Sequence, residues 1–245
     1  MRMLKWCLMA LLAGAFARGA QAAGTAARSG EQEGDGGVVQ MQGKGKIVLL
    51  DCNGCLGAEM RDALAAKLSN MLLVQVESIE AQVFRIGTAG YALAGSGGQA
   101  GVFFVEDPGL PMSLVAQEEC WGVVNVYWLQ EKIDRATPKG REIFESRVRK
   151  EFARVVVALL GPSYARTASA KPLRVRNWRE LDANGTEIIP FEALMAMFNY
   201  MPQIGIERIV LMTYREACEA GKAPSPVNDV QRRIAEEVRK AKAGK

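Results

Sequence analysis

Strand, helix and strand follow one another between residues 46 and 76, and this order constrains the fold more than any other feature of the chain. Lys46 to Asp51 (KIVLLD) is a short apolar run of β type. Gly57 to Asn70 (GAEMRDALAAKLSN) repeats apolar residues at helical spacing, with Met60, Leu64 and Leu68 on one face. Met71 to Val76 reads as the second strand. Two strands joined by a helix within about 30 residues make a βαβ unit, in which the strands run parallel with a right-handed crossover.

The elements that follow extend this unit. Val102 to Glu106, a turn at Pro108-Gly109, Met112 to Gln117 and Trp121 to Leu129 (WGVVNVYWL) read as strands joined by tight turns, so the sheet gains antiparallel members. Ile143 to Leu160 is a long helix with an apolar stripe of Phe144, Val148, Phe152, Val156 and Leu159. Its second half, VVVALL, is apolar all round, which predicts central burial, and Gly161-Pro162 ends it. Residues 163–190 read as polar and irregular, and helices are expected at Phe191–Tyr200, Tyr214–Ala220 and Val227–Ala243. Gly87 to Gly101 (GTAGYALAGSGGQAG) fits neither a phosphate-binding loop nor a dinucleotide fingerprint and reads as a mobile loop. The expected class is α/β (α+β): a mixed twisted sheet that starts with a βαβ unit, a long central helix and a helical carboxyl-terminal part. Residues 46–161 form its core, and 162–245 form a helical extension packed on that core, a length sufficient for one buried interior.

The amino terminus carries an export signal. Arg2 and Lys5 precede an apolar run from Trp6 to Phe16, and Ala20-Gln21-Ala22 supplies a small-x-small cleavage pattern. The run is shorter than the roughly 20 residues that span a bilayer, so 1–22 is read as a cleaved signal peptide and no stable membrane insertion is expected. The expected location is periplasmic or secreted. Residues 23–45, rich in Gly, Ala, Gln and charge, read as a flexible linker. Removal of Arg2, Lys5 and Arg18 lowers the net charge from +4 to +1, which argues against a nucleic-acid partner.

The chain contains no histidine. That excludes Ser-His-Asp and Cys-His catalysis and every zinc site built on imidazole. No cofactor motif is found and no metal ligand set is identified. The cysteines keep a chemical signal. Cys52, Cys55, Cys120 and Cys218 lie beyond the signal, and an even count in an exported chain points to disulfides, with three pairings open. Cys52-Asn53-Gly54-Cys55 is a C-x-x-C between a strand and a helix, where a helix amino terminus lowers a thiol pKa. This supports a thiol–disulfide oxidoreductase with Cys52 as nucleophile and Cys55 as resolving thiol. Such folds also need a proline loop facing the motif, for which Pro111-Met112 is a loose fit.

The order βαβ, mixed strands and long helix resembles that of the archaemetzincins, metzincin-like zinc peptidases. Arg147-Val148-Arg149-Lys150-Glu151 looks like the approach to their active-site helix, Gly161 falls at the family's glycine, and Gly122 to Tyr127 looks like the preceding strand. In that register Arg154, Ala158 and Tyr164 stand at the three zinc-binding histidines and Val155 at the general-base glutamate, while Ala165 and Ala170 replace cysteines of a second, structural metal site. Sliding the register to Lys150-Glu151-x-x-Arg154 sets cations where ligands belong. The resemblance therefore implies a pseudoenzyme with a binding or structural role. Tyr214-Arg215-Glu216-Ala217-Cys218 with Gly221 to Asn228 is also similar to the end of a group of secreted bacterial proteins without an assigned activity.

Other constellations read as structural. Glu106-Asp107 and Glu118-Glu119 are solvated loop carboxylates, and Asp182 to Glu187 lacks the spacing of a calcium loop. Trp121, Tyr127 and Trp128 read as core, or at one edge as a face for a protein partner. Met195, Met197 and Met201 read as adaptable core, and the tail from Arg232 to Lys245 as a solvated helix face.

Overall fold

A computed structural model describes residues 36–41, 43–81 and 84–243. The segment read as a signal peptide, and most of the linker, lie outside them. Strand β1 (Val38–Met41) stands at the end of that expected linker. The strand β2 (Lys46–Cys52), helix α1 (Ala58–Leu72) and strand β3 (Gln75–Ala81) form the βαβ unit, with β2 and β3 parallel from Lys46↔Gln75 to Cys52↔Ala81. Met71 and Leu72, expected in the second strand, continue α1, because Leu72 extends the buried i, i+4 row of Leu64 and Leu68. Leu73 stops the helix in the left-handed region, φ 54°, with its N–H bonded to Ser69 O.

The glycine-rich stretch is ordered where a loop was expected. Ala89–Gly95 forms helix α2, which buries Ala89 and Leu93. Gly98 and Gly101 make room for it: a Cβ on Gly98 would lie 2.7 Å from Leu93 Cδ1 and from Val48 Cγ2, and one on Gly101 would lie 2.8 Å from Leu93 Cδ1. These glycines permit close packing.

Strand β4 (Ala100–Val105) joins the other side of β2, followed by β6 (Trp121–Asn125) and the edge strand β5 (Ser113–Ala116). The order is β3-β2-β4-β6-β5; only β5 runs antiparallel, as the mixed-sheet expectation requires. Alternating side chains divide the interior into two layers. Ile47, Leu49, Val102, Phe104 and Val124 face α1 and the long helix α4 (Pro138–Leu160), whereas Val48, Leu50, Phe103 and Val123 face α2. With both faces covered, β2, β4 and β6 are almost wholly buried.

The expected strand Trp121–Leu129 ends at Asn125, and Val126–Leu129 is a helical turn, α3. Asn125 causes the break. Its fully buried amide donates to the carbonyls of Asp107, Leu110 and Pro111, and its Oδ1 accepts from Tyr127 N at 3.2 Å, capping the turn. Helix α4 starts five residues earlier than expected, at a Thr137 cap with Pro138 in its first turn. Its expected stripe is buried, and so are Arg147 and Glu151 on the same side.

Three helices fill the region read as irregular and beyond: α5 (Pro162–Ala165), α6 (Trp178–Asn184) and α7 (Phe191–Tyr200). Ala193, Met197, Met201 and Ile206 belong to the same core cluster as the α4 side of the sheet, so residues 43–210 form one compact unit. The other unit comprises residues 36–41 and 211–243. In it, helix α8 (Tyr214–Glu219) follows strand β7 (Val210–Thr213), which pairs with β1, and helix α9 (Asp229–Ala243) sets Ile234 and Val238 with Tyr214 in a small core.

Candidate functional site

The parallel strands β2 and β4 are neighbours, while the chain leaves β2 for β3 on the opposite side. This is a topological switch point, and in α/β sheets ligands bind outside the carboxyl ends of such strands. The C-x-x-C lies there, one residue beyond Asp51. Asn53 and Gly54 turn the chain with φ of 57° and 64°, and Asn53 N bonds Ala81 O at 2.8 Å.

Asp51 is fully buried at the amino terminus of α1. Its Oδ1 accepts from Leu56 N at 3.1 Å and from the Cys55 thiol at 3.3 Å, and its Oδ2 accepts from Gly57 N at 3.2 Å. A carboxylate of the chain itself therefore occupies the helix terminus that would otherwise favour a thiolate or a bound anion. Burial first, and the Asp51 charge second, push the Cys52 thiol from its ordinary 9.0 up to about 12. The same two causes raise Cys55, and its bond to Asp51 and the charges of Cys52 and Glu106 add to them. Both shifts oppose those of a thiol–disulfide enzyme, whose nucleophile is a stabilised thiolate.

No disulfide is formed among the described residues: Cys52, Cys55, Cys120 and Cys218 carry free thiols. Cys52 points into the layer shared with α2, and Cys55 packs on the layer shared with α1, on the other face of the sheet. Cys120 sits in a left-handed turn, φ 56°, with its thiol pKa raised by burial. Cys218 lies on α8 in the other unit.

A thiol that must stay protonated in the fold couples stability to pH. The folded pKa of Cys52 lies above its ordinary value, so its contribution is complete below about pH 9 and is lost as pH rises toward about 12. Denaturant midpoints should therefore fall across pH 9–11 and fall less in Cys52→Ser. Thiolate at Cys52 is about a thousandfold scarcer than in an ordinary thiol, so iodoacetamide at pH 8 should label Cys52 at least a hundredfold more slowly than it labels the unfolded chain. Comparable rates in the two states would contradict this environment.

The positions on α4 singled out by the archaemetzincin resemblance do not converge as donors. Arg154 Nε donates to Glu151 Oε2 at 2.8 Å, and its Nη2 bonds Glu151 Oε1 and Ser113 Oγ on β5. Glu151 is fully buried. Val155 is buried over β6, where a Cβ on Gly122 would lie 2.6 Å from its Cγ1. Ala158 is half-buried, and Tyr164 on α5 donates to Ser169 O at 3.1 Å. Ala165 and Ala170 offer no donor, and among the described residues no three His, Cys, Asp or Glu side chains gather as a metal site. Zinc needs imidazole, thiolate or carboxylate, so these residues do not fit it.

A cavity of about 480 Å³, unmarked by any sequence motif, lies beyond the carboxyl end of β6, between the α3 turn and the start of α6. Trp128 and Trp178 line it over Met112, and Glu131, Arg176 and Arg179 also border it. Arg147, at 3 % exposure, holds these walls together. Its Nε and Nη2 donate to Asp182 at 2.8 and 2.6 Å, and its Nη1 donates to Leu129 O and Glu131 O at 3.0 and 2.9 Å. Its guanidinium carbon lies 4.4 Å from the Trp178 ring centroid. The available signal was a cation on the apolar stripe of α4. Its carboxylate partner is 35 residues away in α6, which no local pattern shows.

Fold and site together define a mixed α/β protein in which the Asp51 carboxylate occupies the amino terminus of α1 at the switch point. No protein-family model matches the chain, and no curated protein does. Among solved structures it is similar to a zinc-dependent peptidase from Methanocorpusculum labreanum (strain Z), with a TM-score of 0.46 and 12% identity over 61% of this chain and 99% of that one. A likeness of this degree carries neither zinc nor peptidase chemistry to this chain.

Proposed function

We propose that the chain is an exported, non-catalytic, metzincin-like protein with a binding or structural role. The observation that carries the reading is the Arg154–Glu151 pair on α4. Where the resemblance expects a first zinc-binding histidine, a guanidinium is bonded to a buried carboxylate and to Ser113. Val155, at the general-base position, is packed against β6. Export rests on the charge, apolar run and small-x-small pattern of residues 1–22, with the mature chain starting near Ala23. No helix among the described residues is long and apolar enough to cross a membrane.

The alternative is a periplasmic thiol–disulfide oxidoreductase using Cys52 and Cys55, favoured by the C-x-x-C at the switch point. The Asp51 carboxylate and the raised thiol pKa values weigh against it.

Mature protein from an oxidising compartment tests both readings. After equilibration with zinc chloride and dialysis, metal analysis should find no stoichiometric zinc, and a mixed peptide library should remain uncut. One tightly held zinc per chain, or specific cleavage, would overturn the proposal. Alkylation and mass analysis across a redox titration decide the alternative. A Cys52–Cys55 bridge that opens and closes reversibly between about −120 and −270 mV would put the redox enzyme ahead.

A further inference from the structure

The cavity beside Trp128 and Trp178 offers a binding role a specific chemistry. Its volume, about 480 Å³, falls in the range of small-molecule sites, roughly 300–1,000 Å³. Both indoles are half-buried, so each presents ring surface to the cavity. The Trp128 Nε1–H is already committed to Leu110 O at 2.6 Å, which leaves that ring as an apolar wall. Arg147 sets Trp178 from within α4. The body of a ligand here meets flat aromatic and thioether surface.

The polar groups at the rim are mostly donors. Arg176 engages Glu180 only through its backbone N–H. Arg179 lies over the Trp178 ring at 5.2 Å, and among the described residues neither guanidinium has a hydrogen bond or ion pair to a carboxylate or carbonyl. Asn177 is spent on capping α6. Glu131 brings a negative charge to the lining, and the Glu180 carboxylate beside it is held by the Arg176 N–H and the Asn177 amide. The two guanidinium forks keep their donors uncommitted, and a guanidinium binds a carboxylate through two parallel N–H bonds.

We infer that this cavity binds a small organic anion with a flat apolar body, an aryl or heteroaryl carboxylate. The rings stack on or beside the indoles, and the carboxylate meets Arg176 and Arg179. The inference names a ligand class for the binding role proposed above and rests on it.

Naphthalene-2-carboxylate is the probe, and naphthalene-2-carboxamide is its uncharged counterpart of nearly the same shape. Calorimetric titration of the mature protein should give saturable carboxylate binding at least tenfold tighter than carboxamide binding. Arg176→Gln and Arg179→Gln should each weaken the carboxylate about tenfold while leaving the carboxamide unchanged. Arg174→Gln, an exposed change outside the cavity lining, should alter neither. In proton–nitrogen spectra the Trp178 indole N–H should shift on titration, and the shift should saturate with the calorimetric affinity. All three substitutions are at exposed residues, so unchanged thermal midpoints show the fold is kept. Equal affinity for the two probes, no saturation at millimolar probe, or insensitivity to both arginine substitutions would overturn the ligand class. Zinc uptake or peptide cleavage would defeat the non-catalytic reading without altering these titrations. A flat titration in protein that takes up no zinc and cuts no peptide would defeat the ligand class alone.

Discussion

Arg147→Leu is expected to lower the unfolding free energy by about 3–5 kcal/mol, the range for breaking a buried, hydrogen-bonded ion pair from one side. For a chain of this size that is a fall in Tm of roughly 10 °C. The change removes both bonds to Asp182, the donors to Leu129 O and Glu131 O, and the cation stacked on Trp178. Leucine refills part of the volume and satisfies none of those acceptors. Asp182 is 38% exposed and can turn to water, so the loss should lie toward the lower end. Arg147→Lys keeps the charge without the planar fork and should recover less than half of the loss. Equilibrium urea unfolding measures all three proteins. A loss under about 1 kcal/mol for the leucine variant would mean that α3 and α6 are held by apolar packing alone.

Asp51→Asn should cost about 2–4 kcal/mol and also change the reactivity of two thiols. The carboxylate accepts from the N–H groups of Leu56 and Gly57, and bonds to a charged acceptor contribute about 1.5–3 kcal/mol each. An amide offers one oxygen and turns an NH₂ toward the remaining donor. Removal of the charge takes away the second cause of the raised Cys52 pKa and of the raised Cys55 pKa, and alters the hydrogen bond that is the third cause at Cys55, so both thiols move down. Iodoacetamide labelling at pH 8 should then speed up at both sites, most at Cys55, whose thiol bonds the carboxylate directly. A destabilised variant with unchanged labelling rates would assign the thiol shifts to burial alone.

Much of the fold was legible because periodicity reports burial. The stripe Phe144, Val148, Phe152, Val156, Leu159 faces the core, and helix Phe191–Tyr200 has the expected bounds. The parallel pair followed from strand–helix–strand spacing alone. The misreadings have local causes. Val126–Leu129 is as apolar as a strand, but the Asn125 side chain caps a helical turn there. Gly87–Gly101 looked mobile by composition, yet its glycines admit Leu93 to the sheet. The cysteine count suggests bridges, and the structure sets Cys52, at the end of β2, on one layer and Cys55, in the turn that follows, on the other.

The sequence by itself determined the class of the fold, the parallel start of the sheet, the burial of the long helix and, through its lack of histidine, the absence of imidazole chemistry. Each is set by residue type and near-neighbour spacing, which act over one turn of helix or two residues of strand. Only the tertiary structure decided what the polar residues do. It set Asp51 on the N–H groups of Leu56 and Gly57 and on the thiol of Cys55, and set Arg154 on Glu151 and Ser113. It also brought Arg147 to Asp182 and set Trp128 and Trp178 in the lining of one cavity. Ser113 and Asp182 lie 41 and 35 residues from the arginines they bond, and a buried charge takes whichever counter-group the folded chain brings within bonding distance, a choice no local pattern encodes there.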